Sequence, residues 1–402
     1  MTLLPAVEAG RLAFSPKASP QLALHDITLR EGEEAAEVNF SVEQKRRIYD
    51  RLVEAGVRYI QGGLPAKSAL DARFIREVTR ERATAEVEAL VHIFTHDWKE
   101  QIDAAVQSGA HRLSLMYPLS RVRLEQVQKA TPEEALSRIG EGVAYARSQG
   151  IKVRFSPPDG TRADVALLLK AFGIAGAAGA DVVSITDTVG CMTPHGMSYL
   201  VTAAVRATGL GVQVHCHNDY GLAMSNALAA VEAGATAVDA SINGLGERAG
   251  NVVMAEFVAT LQYLYGIDLC IDMSRLTGLS QLVSELSGVP PAATQPLTGP
   301  NSFAHKLDTH IYGLDRTPDA YEFISPAAVG NVRRVVLGKY SGPYVVRKKL
   351  AELGMTVDER HVPLIVQALH EEAARRRRSI SDEELGDIAR RVAAQGAAAV
   401  AG

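Results

Sequence analysis

His215 and His217 stand one residue apart at the end of an apolar run, Gly211-Val212-Gln213-Val214, that reads as a buried β-strand. Side chains alternate across a strand, so the two imidazoles share a face and Cys216 points away from it. Two imidazoles on one face can grip a divalent metal, which then needs a hard oxygen ligand from elsewhere. The chain offers a carboxylate at Glu31, inside Asp26-Ile27-Thr28-Leu29-Arg30-Glu31-Gly32. An H-x-H pair alone reads more readily as one core and one loop histidine. The placement of the other polar residues and three further motifs decide for the metal.

Those residues need a frame. From Leu22 to about Gly266, short β-branched runs alternate with longer amphipathic stretches. The strand candidates are Leu22 to Leu29, Val57 to Gln61, Val87 to Ile93, Arg112 to Met116, Lys152 to Phe155, Val182 to Ile185, Val212 to His215 and Ala237 to Ile242. Each is followed by a helical pattern, such as Ser41 to Glu54 or Pro132 to Ser148, and Gly56, Gly109, Gly150, Gly179 and Gly234 mark helix ends. Eight βα units in about 240 residues predict an α/β fold of the (β/α)8 TIM-barrel type; a doubly wound open sheet fits so regular a count less well. In such a barrel, chemistry sits where strands end. Glu31, His92, Ser156, Thr188, His215, His217 and Asn243 all fall at that end. Strands one and seven flank strand eight in a closed barrel, so Glu31 and the two histidines can converge.

With 402 residues, 47% hydrophobic and 22% charged, the chain reads as a soluble globular protein with room for a large domain and a smaller one. The expected division is an N-terminal extension over 1–21, a barrel over 22–272, and a helical C-terminal appendage with its linker over 273–402. Pro290-Pro291 and Pro296 to Pro300 interrupt the chain, and Val362 to Arg377 and Asp382 to Ala394 read as helices, the second with Ser381 and Glu384 at capping-box spacing. No apolar run approaches the roughly 20 residues that span a bilayer, and 1–21 lacks the pattern of a secretory signal, so no membrane partner and a cytoplasmic location are expected. Cys191, Cys216 and Cys270 are spaced for neither a disulfide framework nor a structural zinc site. A formal net charge of −4 gives no reason to expect nucleic acid, and the run Arg375 to Arg378 reads as a solvated helix face.

Four motifs, Thr28-Leu29-Arg30-Glu31-Gly32-Glu33, His215-Cys216-His217-Asn218-Asp219, the stretch Asn243-Gly244-Leu245-Gly246-Glu247-Arg248-Ala249-Gly250-Asn251, and Tyr321-Glu322-Phe323-Ile324-Ser325-Pro326, stand in order along the chain. Together they resemble the DRE-TIM metallolyase superfamily, in its branch that condenses acyl-CoA with 2-oxoacids: homocitrate, isopropylmalate and citramalate synthases. The resemblance implies a divalent metal (Zn, Mn or Mg) on Glu31, His215 and His217, with Asn251 completing the shell. It implies acetyl-CoA as co-substrate and a 2-oxoacid whose carbonyl the metal polarises. Arg30 would face the developing alkoxide, and Thr188 would bind the oxoacid carboxylate. His310 and Tyr321, from the appendage, match residues that assist proton transfer, often across a homodimer; for Tyr321, simple packing weighs nearly as much.

Arg-Glu-Gly at Arg30 to Gly32 is similar to homocitrate synthases, as is Arg-Phe-Ser at Arg154 to Ser156. A guanidinium facing a barrel interior needs an anion. That anion is either the distal carboxylate of a dianionic oxoacid such as 2-oxoglutarate or a nearby Asp or Glu; His92 is a second candidate contact. Isopropylmalate, citramalate, citrate and phosphonomethylmalate synthase activities are the alternatives, although the leucine-inhibited isopropylmalate synthases would be expected to carry a further C-terminal domain. The chain also departs from the pattern. Pro158 stands where the family has a catalytic Glu, leaving Asp159 as the candidate substitute; Glu34 replaces a Gln, and Gln61-Gly62-Gly63 replaces a Glu-containing motif. A carbon-carbon lyase of the superfamily would carry a Cys between Asn243 and Asn251, and none is there. A binding protein that has lost its base is the remaining rival.

Overall fold

The computed structural model describes residues 22–81 and 85–401, with side chains as far as residue 395; the expected extension over 1–21 lies outside the described residues. Eight strands close into a parallel barrel in chain order: β1 (Ala23–Asp26), β2 (Tyr59–Gly63), β3 (Glu86–His92), β4 (Arg112–Met116), β5 (Lys152–Phe155), β6 (Val182–Asp187), β7 (Gly211–Cys216) and β8 (Ala237–Ala240). Closure is by β1 against β8, with Ala23 opposite Ala237 and Asp26 opposite Ala240. The expected (β/α)8 barrel is therefore present. Each outward strand face is apolar, as at Val87, Ala89 and Val91, and packs beneath amphipathic helices whose inner residues, such as Ile48, Leu52, Phe74 and Ile75, are buried.

Local chemistry starts these helices where the sequence predicts. Ser41 caps Val42–Glu54 and Thr131 caps Pro132–Ser148, each in a capping box with the residue three positions on, Gln44 and Glu134. Strand β2 begins two residues later than its apolar run and extends to Gly63, which pairs with Ala89 after a register shift that skips Gly62. Gly63, at φ +140° and with Asp71 packed against it, has no room for a side chain.

The barrel interior is polar. Each strand contributes at least one buried polar side chain, among them His25, Gln61, Glu88, Ser114, Arg154, Ser184, Gln213 and Asp239. Arg154 reaches across the lumen to Glu88 at 2.7 Å and to Asp239 at 3.1 Å. Asp239 also meets His25 at 2.9 Å, and Gln61 donates to Glu88 at 2.6 Å. Interiors of such barrels are more often layers of branched apolar side chains.

The compact unit that holds the barrel runs through Pro291 rather than ending at the expected residue 272. The reason is the helix Leu276–Ser287, which carries buried Leu276, Leu279 and Val283. Its Ser280 carbonyl accepts from Asn243 Nδ2 at 3.0 Å, and its hydroxyl donates to Asn243 Oδ1. Asn243, expected among the polar residues of the strand ends, is thus a tie between the loop after β8 and this helix.

The second unit, Ala292–Gly402, has its own core. Helices Asp308–Arg316, Pro343–Glu352, Val362–Arg376 and Asp382–Ala401 surround Ile311, Val345, Ile365, Leu369, Leu385 and Ile388, beside a two-stranded parallel sheet of β9 (Ala304–His305) and β10 (Arg334–Val335). The capping box at Ser381 and Glu384 is formed, with Ser381 N–H donating to the Glu384 carboxylate at 2.9 Å and Glu384 N–H to Ser381 Oγ at 3.2 Å. No helix among the described residues is long and apolar enough to cross a membrane.

Candidate metal centre and its pocket

Glu31 rides on the turn just after β1, and His215 and His217 end β7, so the topology delivers all three to the neighbourhood of β8. Nε2 of His217 lies 3.5 Å from Glu31 Oε1, Nε2 of His215 lies 3.9 Å from Glu31 Oε2, and the two Nε2 atoms are 3.2 Å apart. All three residues are buried, and the ligand atoms lie within 4.8 Å of one another, the one such cluster among the described residues. Cys216 faces the other way and is fully buried.

The electrostatics suit a cation. Burial works against ionising Glu31, but Arg30, His215 and His217 outweigh it and bring its pKa to about 2. Burial, reinforced by His215, lowers His217 to about 4. At neutral pH the centre therefore offers an ionised carboxylate and a neutral imidazole, the forms a metal binds. His215 turns its other nitrogen, Nδ1, to Asp239 Oδ2 at 3.1 Å, the carboxylate-histidine arrangement that orients a ligating imidazole. Asp239 is itself ionised: burial opposes this, but Arg154 and hydrogen bonds from His215 and His25 hold its pKa well below the usual range.

A glycine-rich loop covers the centre from above. Asn251 pairs with His217 across an isolated bridge, and Asn218 N–H donates to the Gly250 carbonyl at 2.9 Å. Gly246 lies so close that an added Cβ would fall 2.0 Å from Asn251 Nδ2 and 3.2 Å from Glu31 Oε1. Asn251 Nδ2 points at Glu31 Oε1 at 3.5 Å, while Asn251 Oδ1 is buried without a partner. Half a turn of the amide exchanges the two atoms and aims an oxygen at the centre. The donor set and this orphaned oxygen fit a divalent metal.

The centre opens into a cavity of about 390 Å³ whose walls include Arg30, His92, Arg154, Ser156 and Thr188, with Leu90, Phe94 and Met116 as an apolar flank. Every strand-end residue expected to bind substrate is here. Arg30 is pinned by Gln61, Glu31 and Glu34, the last at 3.3 Å. His92 lies beside Phe94, ring centroids 5.0 Å apart, and burial lowers its pKa to about 4, which keeps it neutral. A second cavity, of about 550 Å³, opens at the opposite end of the strands around Tyr59 and Arg112, away from this chemistry.

Two expected residues stand differently. Asp159 adopts a left-handed backbone, φ 62°, which turns its carboxylate onto Arg162 in a two-point pair at 2.7 Å each and away from the cavity walls. What Asp159 gives the site is its N–H, donated to Thr188 Oγ1 at 2.7 Å; its placement does not support the role of the absent strand-five Glu. Arg154 lines the cavity, but the anions it needs are supplied by Glu88 and Asp239. His310 and Tyr321 meet in the second unit, stacked with centroids 4.0 Å apart, with Tyr321 half exposed. Sequence reasoning passed over Asp239, Glu88 and Gln213. Their signal was parity: each is a polar residue at an inward position of an otherwise apolar strand.

The HMGL-like family profile matches residues 21–283, and the profile of the homocitrate synthase post-HMGL domain matches residues 297–377. The chain belongs to the HMGL-like (DRE-TIM) family. The 2-isopropylmalate synthase of Sulfolobus acidocaldarius is 40% identical over 85% of this chain and 88% of that one. Homocitrate synthase AksA of Methanopyrus kandleri is 37% identical over 92% of both. Among solved structures, the HMG-CoA lyase of Bacillus subtilis superposes with a TM-score of 0.61 at 18% identity, covering 68% of this chain and 96% of the lyase, a likeness of fold alone. With synthases as its relatives over nearly the whole chain, this HMGL-like protein is an enzyme of the condensing type.

Proposed function

We propose that this enzyme condenses acetyl-CoA with a 2-oxoacid and that water then hydrolyses the resulting thioester, giving a 2-hydroxy-2-carboxymethyl acid and CoA, as a homocitrate synthase-like acyltransferase. The observation that carries the reading is the convergence of Glu31, His215 and His217 at the mouth of a cavity that Arg30, Ser156 and Thr188 also line. A divalent metal on Glu31, His215, His217 and Asn251 would polarise the 2-oxoacid carbonyl. Arg30, held rigid by its three partners, presents positive charge where the carbonyl oxygen turns into an alkoxide. Thr188, fixed through Asp159, and Ser156 offer hydroxyls to the carboxylate. Removal of the acetyl methyl proton falls to groups other than Asp159, whose carboxylate is occupied; His310 and Tyr321, in a homodimer, are the aids this reading assigns.

Condensation with a branched apolar oxoacid is the second reading, favoured by the flank of Leu90, Phe94 and Met116. The test is incubation of the purified protein with acetyl-CoA and a panel of 2-oxoacids while free thiol is followed. Thiol release that requires both an oxoacid and a divalent metal is expected; release from acetyl-CoA alone, or none with any oxoacid, refutes the proposal.

A further inference from the structure

The N-terminal ends of barrel strands ordinarily serve stability rather than chemistry. Here they surround a cavity of about 550 Å³, larger than the one of about 390 Å³ at the metal centre and within the range that holds small-molecule ligands. Leu24, Val57 and Ile271 give it apolar walls. His25 and Gln213 lie deepest, each two residues inward from the first residue of its strand, β1 or β7, and both are buried.

The charges on its walls do not balance. Arg112 lies over the Tyr59 ring, 5.5 Å from the centroid, and brings one terminal nitrogen to 3.0 Å from Glu86 Oε1, while its Nε is buried with no hydrogen-bond partner. Glu86 already meets Lys152 at 2.6 Å, so one carboxylate answers two cations. Arg58, exposed at the same cavity, has no ion-pair partner among the described residues. Of the lining carboxylates, Asp181 is taken by Arg147 at 3.2 Å and by the Val153 N–H at 2.7 Å, which leaves Asp268 alone against the positive surplus. A buried guanidinium nitrogen without an acceptor is a cost that an incoming anion removes.

The deep end of this cavity is joined to the metal centre. His25 Nδ1 lies 2.9 Å from Asp239 Oδ1, Gln213 Nε2 donates to the same oxygen, and Asp239 Oδ2 holds His215 Nδ1 at 3.1 Å. A ligand that draws His25 or Gln213 toward itself therefore shifts the carboxylate that orients His215. We propose that the cavity is an effector site for a small organic anion with an apolar body, its charge on Arg112 and Arg58, and that its occupancy changes metal affinity at the other end of the barrel. Such coupling is reciprocal, so metal binding changes anion affinity by the same factor. The coupling rests on the reading of Glu31, His215 and His217 as metal ligands; the anion site stands without it.

The probes are anilinonaphthalene sulfonate, an apolar body with one negative charge that fluoresces when bound, and its uncharged counterpart phenylnaphthylamine. Cys270 lines the cavity and is exposed, and Cys216 is buried, so in Cys191→Ser protein alkylation of Cys270, read by mass spectrometry, reports occupancy of this cavity. Saturable binding of the sulfonate that slows Cys270 alkylation is expected. Arg112→Gln leaves Glu86 its Lys152 partner, and Arg58→Gln removes an exposed side chain that pairs with nothing among the described residues, so the second variant keeps the test sound if the first is unstable. Sulfonate affinity should fall by roughly 10-fold or more in Arg112→Gln and by less in Arg58→Gln, with the affinity for the uncharged probe unchanged in both. Equilibrium metal dialysis of wild type with and without saturating sulfonate should show metal affinity shifted by about fivefold or more. The inference is overturned if the sulfonate does not bind, if it binds without shielding Cys270, if both variants keep full affinity or lose both probes alike, or if metal affinity is the same with and without it. Shielding of Cys270 in a protein that takes up no stoichiometric metal would instead refute the metal centre, and the coupling with it, and leave the anion site in place.

Discussion

At the metal centre the decisive quantity is the protonation state of Glu31 and His217. Glu31, at about 2, and His217, at about 4, are both ready for a cation at neutral pH. As the pH falls through about 4, His217 takes up a proton and can no longer ligate. The step in metal affinity owed to His217 should therefore lie near pH 4, well below the ordinary histidine range, and a pH series of equilibrium metal dialysis reads it. The substitution His215→Ala with His217→Ala should abolish the stoichiometric metal; undiminished content by elemental analysis would remove the site. Asp239→Asn should weaken metal binding by about 10- to 100-fold, because it loosens the orientation of His215 rather than removing a ligand. A neighbouring group acts on stability instead. Burial raises Asp26 to about 7 in spite of hydrogen bonds from Thr28. Its folded pKa lies above the unfolded value near 4, so the stability it contributes is complete below about pH 4 and is lost as the pH rises through about 7. In Asp26→Asn, urea melts of the metal-free protein should show a shallower decline across that window, by up to about 1.4 kcal/mol per pH unit.

At the scale of elements, local signals made the barrel legible. The strands Arg112–Met116 and Lys152–Phe155 fall where their apolar alternation placed them, and the helices begin at Ser41 and Thr131 because those hydroxyls satisfy free N–H groups. Glu31, His215 and His217 were equally legible, since parity on one strand and neighbour order in a closed sheet are both functions of sequence. What escaped was whatever depends on cross-barrel distance. No local spacing says that Arg154 would meet Glu88, 66 positions away, and Asp239, 85 away, so both fates of its charge stayed open. Asp159 misled for a related reason: Pro158-Asp159-Gly160 marks a turn, but no local signal says that the turn would set the carboxylate on Arg162. The covering loop makes a sharper prediction. In Gly246→Ala the new methyl must displace Asn251 and crowd Glu31, so metal affinity should fall at least tenfold while the thermal midpoint of the metal-free protein moves by only a few degrees. In the second unit, His310→Ala removes the partner of the Tyr321 stack. It should lower kcat with little change in KM for the oxoacid, whereas a loss of folded protein by circular dichroism would mark the pair as packing alone.

Across the whole molecule, the barrel is held along its axis by charge as well as by its apolar rim. Arg154→Met leaves Glu88 and Asp239 buried without their cation, and stability should drop by about 3–5 kcal/mol in denaturant melts. Adding Glu88→Gln should restore part of that loss, because one of the two orphaned charges disappears with its partner. A simple sum of the two single effects would show that these residues do not form one network. The same wiring limits the protein's history. A lineage that exchanged residue 154 for an apolar one while 88 and 239 kept their charges would lose about 3–5 kcal/mol, a large share of the about 5–15 kcal/mol by which folded proteins are typically stable. Descent should therefore have altered these positions jointly or not at all.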